Sequence, residues 1–128
     1  MQETGVSMAL TSLSPEAFAA EWIAAWNAHD IERILSHYAE DAVLVSPIVA
    51  ARLGIESGRL EGKAALRAYF ARGLAAYPDL RFTFRRVLGG VGSLVIDYLS
   101  ADGRPAAEFM AFNAAGQVRS IHAHYAGA

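Results

Sequence analysis

The chain has 128 residues, of which 54% are hydrophobic and 19% charged, and its net charge is −2. That is the composition of one globular domain rather than of a disordered chain. No run of Lys or Arg reaches four, which argues against nucleic-acid binding because phosphate neutralisation needs a basic face. The absence of cysteine excludes disulfides and thiolate metal sites. The opening MQETGVSMALTSLS carries no basic segment and only a short apolar run, so no signal peptide is expected. No apolar stretch approaches the ~20 residues of a membrane span. The expected organisation is a loose arm over residues 1–13 and a single cytoplasmic domain over 14–128.

Ser14-Pro15-Glu16 opens the first helix with a capping hydroxyl, a proline in the first turn and an acid suited to the helix dipole. Phe18, Trp22, Ala25, Trp26 and His29 follow at helical spacing and form one face. Asp30 can cap a second helix, in which Ile31, Ile34, Leu35 and Tyr38 share a side. Residues 41–47 read as a strand that Pro47 stops. Residues 48–61 read as irregular, punctuated by Gly54 and Gly58. Gly62 to Tyr77 predicts a third helix, with Leu66, Tyr69, Phe70, Leu74 and Tyr77 inward and Pro78 ending it. Residues 80–88, 93–101, 104–113 and 117–126 then predict a four-strand antiparallel meander. The alternation of basic and aromatic residues over Arg81–Arg86 fits a strand with one polar face. Helices first and strands later indicate α+β, three helices packed on one face of a curved, mostly antiparallel sheet.

Asp102-Gly103 suits a two-residue type I′ hairpin, which would set Asp97 directly opposite Glu108. Like charges in that position destabilise a sheet, so their placement calls for a reason. If the face lines a cavity together with Val95, Leu99, Ala106 and Met110, the two carboxyls cannot both ionise and must share a proton. Such a pair supplies an acid and a base in one place. The alternative is a one-residue slip that leaves one or both carboxylates solvated or paired with Arg85, Arg86 or Arg104. In the last strand, Ile121, Ala123 and Tyr125 alternate with Ser120, His122 and His124, so the apolar set faces inward. His122 and His124 lack an evident third ligand, so no metal is expected; the rings should point outward, toward a subunit contact.

The string from Trp22 to Asp30, Tyr38-Ala-Glu-Asp-Ala42, Ser46-Pro47 and the ending Phe112–His122 resemble the nuclear transport factor 2-like superfamily. Within it they are most similar to SnoaL-like polyketide cyclases and ketosteroid isomerases. The resemblance runs from about Ser14 to Tyr125. It implies a cone-shaped α+β barrel with an apolar pocket at one end, and a homodimer. By position, Glu108 matches the place where ketosteroid isomerases keep a protonated aspartic acid that donates to a developing oxyanion. Trp22 stands where the family has an oxyanion-hole tyrosine, and Ser46 where it has a general-base aspartate. Both depart from the family pattern, and a serine without an adjacent base cannot take a carbon-bound proton.

The resemblance therefore implies a cofactor-free acid/base enzyme performing cyclisation, isomerisation or dehydration on a small, apolar, carbonyl-bearing molecule. Asp97 would be the base and Glu108 the neutral acid. Trp22, Trp26, Leu44, Ser46, Tyr69, Leu99, Ile121 and Tyr125 would shape the pocket. The segment from Ile48 to Glu61 is longer than in the isomerases and is expected to cap the mouth, with Arg52 or Arg59 reaching a substrate anion. Three alternatives stay open: water activation as in limonene epoxide hydrolases, a non-catalytic ligand-binding module, and a dimerisation module. The same fold hosts all of them.

Overall fold

A computed structural model describes residues 13–128, so the expected N-terminal arm lies, Leu13 apart, outside the described residues. Helix α1 (Pro15–Asn27) starts as its sequence dictates: the Ser14 hydroxyl accepts from the Ala17 N–H at 3.0 Å. It buries Phe18, Trp22, Ile23 and Trp26. His29 then turns the chain with φ +57°, and its ring nitrogen bonds the Leu80 carbonyl at 2.9 Å. That bond helps offset the ~1 kcal/mol a side chain loses in left-handed backbone. Asp30 caps α2 (Ile31–Leu35), its carboxylate accepting from the Arg33 N–H.

Strand β1 (Tyr38–Val45) begins three residues earlier than its period suggests. The pairing with the last strand shifts between Tyr38 and Val43, and this irregularity breaks the alternation of inward and outward residues. Tyr38 thus belongs to the strand rather than to a helix face. The segment expected to be irregular is ordered: α3 (Pro47–Leu53) is followed by the short strand β2 (Arg59–Glu61). Ser46-Pro47 is a helix start as well as a strand end, because the Ser46 hydroxyl accepts from the Ile48 N–H at 3.1 Å. The return path passes so close to Ser46 that a Cβ on Gly58 would sit 2.6 Å from the Ser46 carbonyl oxygen.

Helix α4 (Lys63–Ala76) precedes the meander of β3 (Thr83–Gly89), β4 (Ser93–Leu99), β5 (Pro105–Phe112) and β6 (Val118–Tyr125). The sheet runs in the order β2-β1-β6-β5-β4-β3, with β1 and β6 parallel and every other pair antiparallel. The helices cover one face of this curved sheet, and between the layers lie Trp22, Leu35, Leu66, Ile96, Met110 and Ile121. Trp22 stacks on Phe82 at 5.6 Å and meets Tyr98 edge-on at 5.3 Å. Among the described residues no helix is long and apolar enough to cross a membrane.

The β4–β5 hairpin corrects the expected register. Leu99 pairs with Pro105, Asp97 with Ala107 and Ile96 with Glu108. Only Gly103 of the turn adopts positive φ (+80°), so the loop is not type I′. Instead Ser100 N–H donates to the Arg104 carbonyl at 2.9 Å and encloses three residues, Ala101 to Gly103. The Asp102 carboxylate holds the loop by accepting from the Ser100 hydroxyl and from the Arg104 N–H. One extra loop residue turns all of β4 over. Leu94, Ile96 and Tyr98 face the core; Val95, Asp97 and Leu99 face outward.

Candidate functional site

A cavity of about 510 Å³ lies between the sheet and α3, α4 and the end of α1. The sheet contributes Tyr38, Leu44, Tyr98, Glu108, Ile121 and Tyr125, all on inward-facing positions. Trp26, Tyr69 and Phe70 close it from the helices, and Ser46 sits at the β1–α3 junction. The exposed residues Arg52, Arg72 and Tyr77 mark its outer end.

Glu108 is the buried carboxyl of this cavity, with 9% of its surface exposed. Burial pushes its pKa up to about 7, and the hydrogen bond from the Tyr98 hydroxyl, 2.9 Å from Oε1, acts in the opposite direction. Near neutral pH the group is therefore divided between acid and carboxylate. Four phenols surround it. Burial, reinforced by the Glu108 charge, raises Tyr38, Tyr98 and Tyr125 above the ordinary phenol range; burial also raises Tyr69. All four therefore keep their protons near neutral pH. A buried acid that can hold or release its proton, ringed by phenols that cannot release theirs, is suited to moving a proton on a bound molecule.

Six of the eight residues expected in the site other than Asp97 and Glu108 need no relocation: Trp26, Leu44, Ser46, Tyr69, Ile121 and Tyr125 line the cavity.

 Glu108 lies there too. Trp22 and Leu99 do not, and Asp97 is corrected outright. Asp97 sits on the outer face of the sheet, 3.1 Å from Arg86 Nε and 3.8 Å from Arg85 Nε, with no part in the cavity. Its expected proton-sharing with Glu108 is excluded by the register, and the slipped alternative describes the hairpin. Leu99 faces outward for the same reason. Trp22 is fully buried behind the wall, and its indole N–H donates to the Tyr38 hydroxyl at 3.0 Å, so it orients a cavity residue instead of contacting a ligand.

Ser46 keeps its expected place, but its hydroxyl is engaged by the α3 cap. Arg52 lines the cavity as expected, whereas Arg59 pairs with Glu61 away from it at 2.7 Å. His122 and His124 are exposed and alternate with the buried Ile121 and Ala123. The residues that sequence reasoning missed are Tyr38, assigned to a helix face, and Tyr98, assigned to the wrong side of β4. A signal for Tyr98 was present: the set Leu94, Ile96 and Tyr98 carries no charge, while the set Val95, Asp97 and Leu99 does.

The chain is similar over 97% of its length to all of a SnoaL-like protein of unknown function from Burkholderia thailandensis, at 41% identity and a TM-score of 0.87. Two more distant likenesses show the fold alone. One is a protein with a ketosteroid isomerase-like fold from Catenulispora acidiphila, in complex with trimethylamine. It is 16% identical, with coverage of 88% of this chain and 87% of that one and a TM-score of 0.69. The other is TerC, co-crystallised with polyporic acid, at 19% identity, coverage of 88% and 92%, and a TM-score of 0.69. No curated protein matches the chain. The pattern of the SnoaL-like domain matches residues 19–126, and with the geometry above it establishes that the chain belongs to the SnoaL-like family.

Proposed function

We propose that this protein binds a small, mostly apolar, carbonyl-bearing molecule in the cavity and moves a proton on it without a cofactor. The observation that carries the reading is the buried Glu108, poised at about 7 and held by Tyr98. As a carboxylate, Glu108 takes a proton from the carbon next to the carbonyl, and the electron pair moves onto the carbonyl oxygen. Tyr69 or Tyr125 donates a hydrogen bond to that oxygen. Where a C=C bond is conjugated with the resulting enolate, Glu108, now neutral, returns the proton to the far carbon of that bond, the C=C bond shifts by one position and the carbonyl re-forms. One carboxyl thus serves as base and then acid, which suits isomerisation and, with a second reacting centre, cyclisation or dehydration. Water activation by a carboxylate pair is disfavoured, since the partner it requires lies on the far side of the sheet.

The small molecules held by the two distant neighbours are consistent with a ligand site in this fold. Half-buried Val95, Leu99 and Phe109 on the outer sheet face are where a homodimer contact would form, and the compartment we propose is the cytoplasm. A second reading, a non-catalytic binder, is favoured by the Ser46 hydroxyl being engaged in a cap.

Hydrogen–deuterium exchange at the activated carbon of 2-tetralone, followed by NMR, separates the two. An enzyme of this kind accelerates exchange above the buffer rate, and Glu108→Gln removes roughly a hundredfold or more of that acceleration while binding persists. Exchange at the buffer rate in the unaltered protein, with the ketone bound, would establish the binder.

A further inference from the structure

Resting on that reading of the cavity, we infer that the ligand is an anion, its apolar body lying toward Glu108 and its oxyanion group held at the outer end by Arg104, Arg72 and Arg52. All three arginines line the cavity. The whole chain is net negative, at −2, yet this end gathers three guanidiniums against the single side-chain carboxylate of Asp102. Ala128 lines the cavity too, and its carboxylate makes no ion pair with any of the three among the described residues.

Two of these arginines, Arg52 and Arg104, lie over aromatic rings, and the third, Arg72, has no ion pair among the described residues. Away from the cavity, Arg33, Arg59, Arg67, Arg85 and Arg86 each face a carboxylate, although Arg81 and Arg119 face none among the described residues. In the cavity, Arg52 lies over the Tyr77 ring at 5.3 Å and donates to the Tyr77 hydroxyl, with no ion pair among the described residues. Arg72 has no ion pair among the described residues. Arg104 lies over the Tyr125 ring at 5.4 Å, and its Nε is shielded from solvent without a hydrogen-bond partner. Its one ion-pair partner among the described residues, Asp102, stands 3.6 Å from Nη2 and already accepts from the Ser100 hydroxyl and the Arg104 backbone. A guanidinium supported by an aromatic ring keeps its charge and its donors available, and an oxyanion is the group that satisfies them.

The strand fixes the spacing. Arg104 immediately precedes β5 and shares the inward face with Glu108 four residues on, so their Cα atoms are about 13 Å apart. The ligand this accommodates is rigid and apolar, with the reacting carbon near Glu108 and the anionic group at the opposite end. A cationic ligand meets three like charges at the entrance.

Fluorescence titration with two dyes of matched shape tests this. 1-Anilinonaphthalene-8-sulfonate is anionic, and N-phenyl-1-naphthylamine is its neutral counterpart. The expected result is at least tenfold tighter binding of the sulfonate, a preference that shrinks as salt is raised. Arg104→Ala and the exposed Arg72→Ala should each weaken the sulfonate about fivefold or more and change the neutral dye less than twofold. Circular dichroism melts verify folding, and Arg72→Ala carries the test if Arg104→Ala unfolds. Equal affinity for the two dyes, or an equal loss of both in the arginine variants, overturns the anion inference and leaves the acid/base reading intact. Binding of neither dye overturns the cavity reading and this inference together. Exchange on 2-tetralone that depends on Glu108, without any sulfonate preference, overturns the anion inference alone.

Discussion

Tyr98 on β4 and Glu108 on β5 meet as a diagonal pair, because Tyr98 lies opposite Ala106 and Glu108 opposite Ile96, and their oxygens stand 2.9 Å apart. This diagonal exists only in the register that the three-residue loop sets. Tyr98→Phe removes the bond that opposes burial, so the Glu108 pKa should rise above about 7. Carboxyl-carbon NMR titration of Glu108 in both proteins measures it. An unchanged or lower value in the variant would mean that the phenol does not hold the carboxylate.

Stability should depend on pH in a direction set by Glu108. Its folded pKa of about 7 is above the ordinary value of 4.5, so the unfolded chain loses this proton first as pH rises. The contribution is fully present below about pH 4.5 and is lost as pH climbs through 7. The limiting effect is on the order of 3 kcal/mol. Urea midpoints should therefore fall between pH 5 and 7.5 in the unaltered protein, and Glu108→Gln should flatten that decline. Glu21 acts elsewhere: its bond to Arg33 holds it at about 2, so its contribution is lost on acidification below pH 4.5.

Asp97→Asn tests the register from the opposite face. Asp97 makes its ion pairs with Arg85 and Arg86 outside the cavity. Removing its charge should change stability by less than about 1 kcal/mol and leave binding of both dyes unaltered. A tenfold change in dye affinity would contradict the placement of Asp97 outside the site.

Gly58→Ala should destabilise by about 2 kcal/mol or more, read as a lower denaturant midpoint. The new methyl would meet backbone, the Ser46 carbonyl oxygen, and backbone cannot rotate aside. Its φ of +67° adds the strain of left-handed conformation.

Trp22→Phe keeps an aromatic ring in the core and deletes the donor to the Tyr38 hydroxyl. A loss of about 1–3 kcal/mol is expected from the buried hydroxyl left without its partner, measured by chemical denaturation. Effects on dye binding should be smaller than those of Trp26→Phe, because Trp26 lines the cavity and Trp22 does not.

The elements written in local chemistry were legible. Ser14-Pro15 and Asp30 start helices by capping chemistry that acts locally, and the glycine-containing turns divide the meander correctly. Ser46-Pro47 repeats the device of Ser14-Pro15, yet its position directly after a strand disguised the helix start. Asp102-Gly103 was harder for a physical reason. Both the two-residue and the three-residue loop place glycine in left-handed backbone, and they differ only in whether Asp102 also adopts it or instead uses its carboxylate to bind the turn. That choice decides which face of β4 reaches the cavity. The site inherited the error, losing Asp97 and Leu99 and missing Tyr98. Glu108 was placed correctly because the parity of β5 with Ala106 and Met110 did not depend on the loop.

The sheet order has a consequence for how the molecule is made. β6, the last of the described strands in chain order, lies between β1 and β5, so β1 has no partner on that side until β6 has left the ribosome. Until then the nascent chain carries its first strand with an open edge, a state prone to pairing with other chains. Closure by a parallel partner some eighty residues away in the chain is a slow, non-local step.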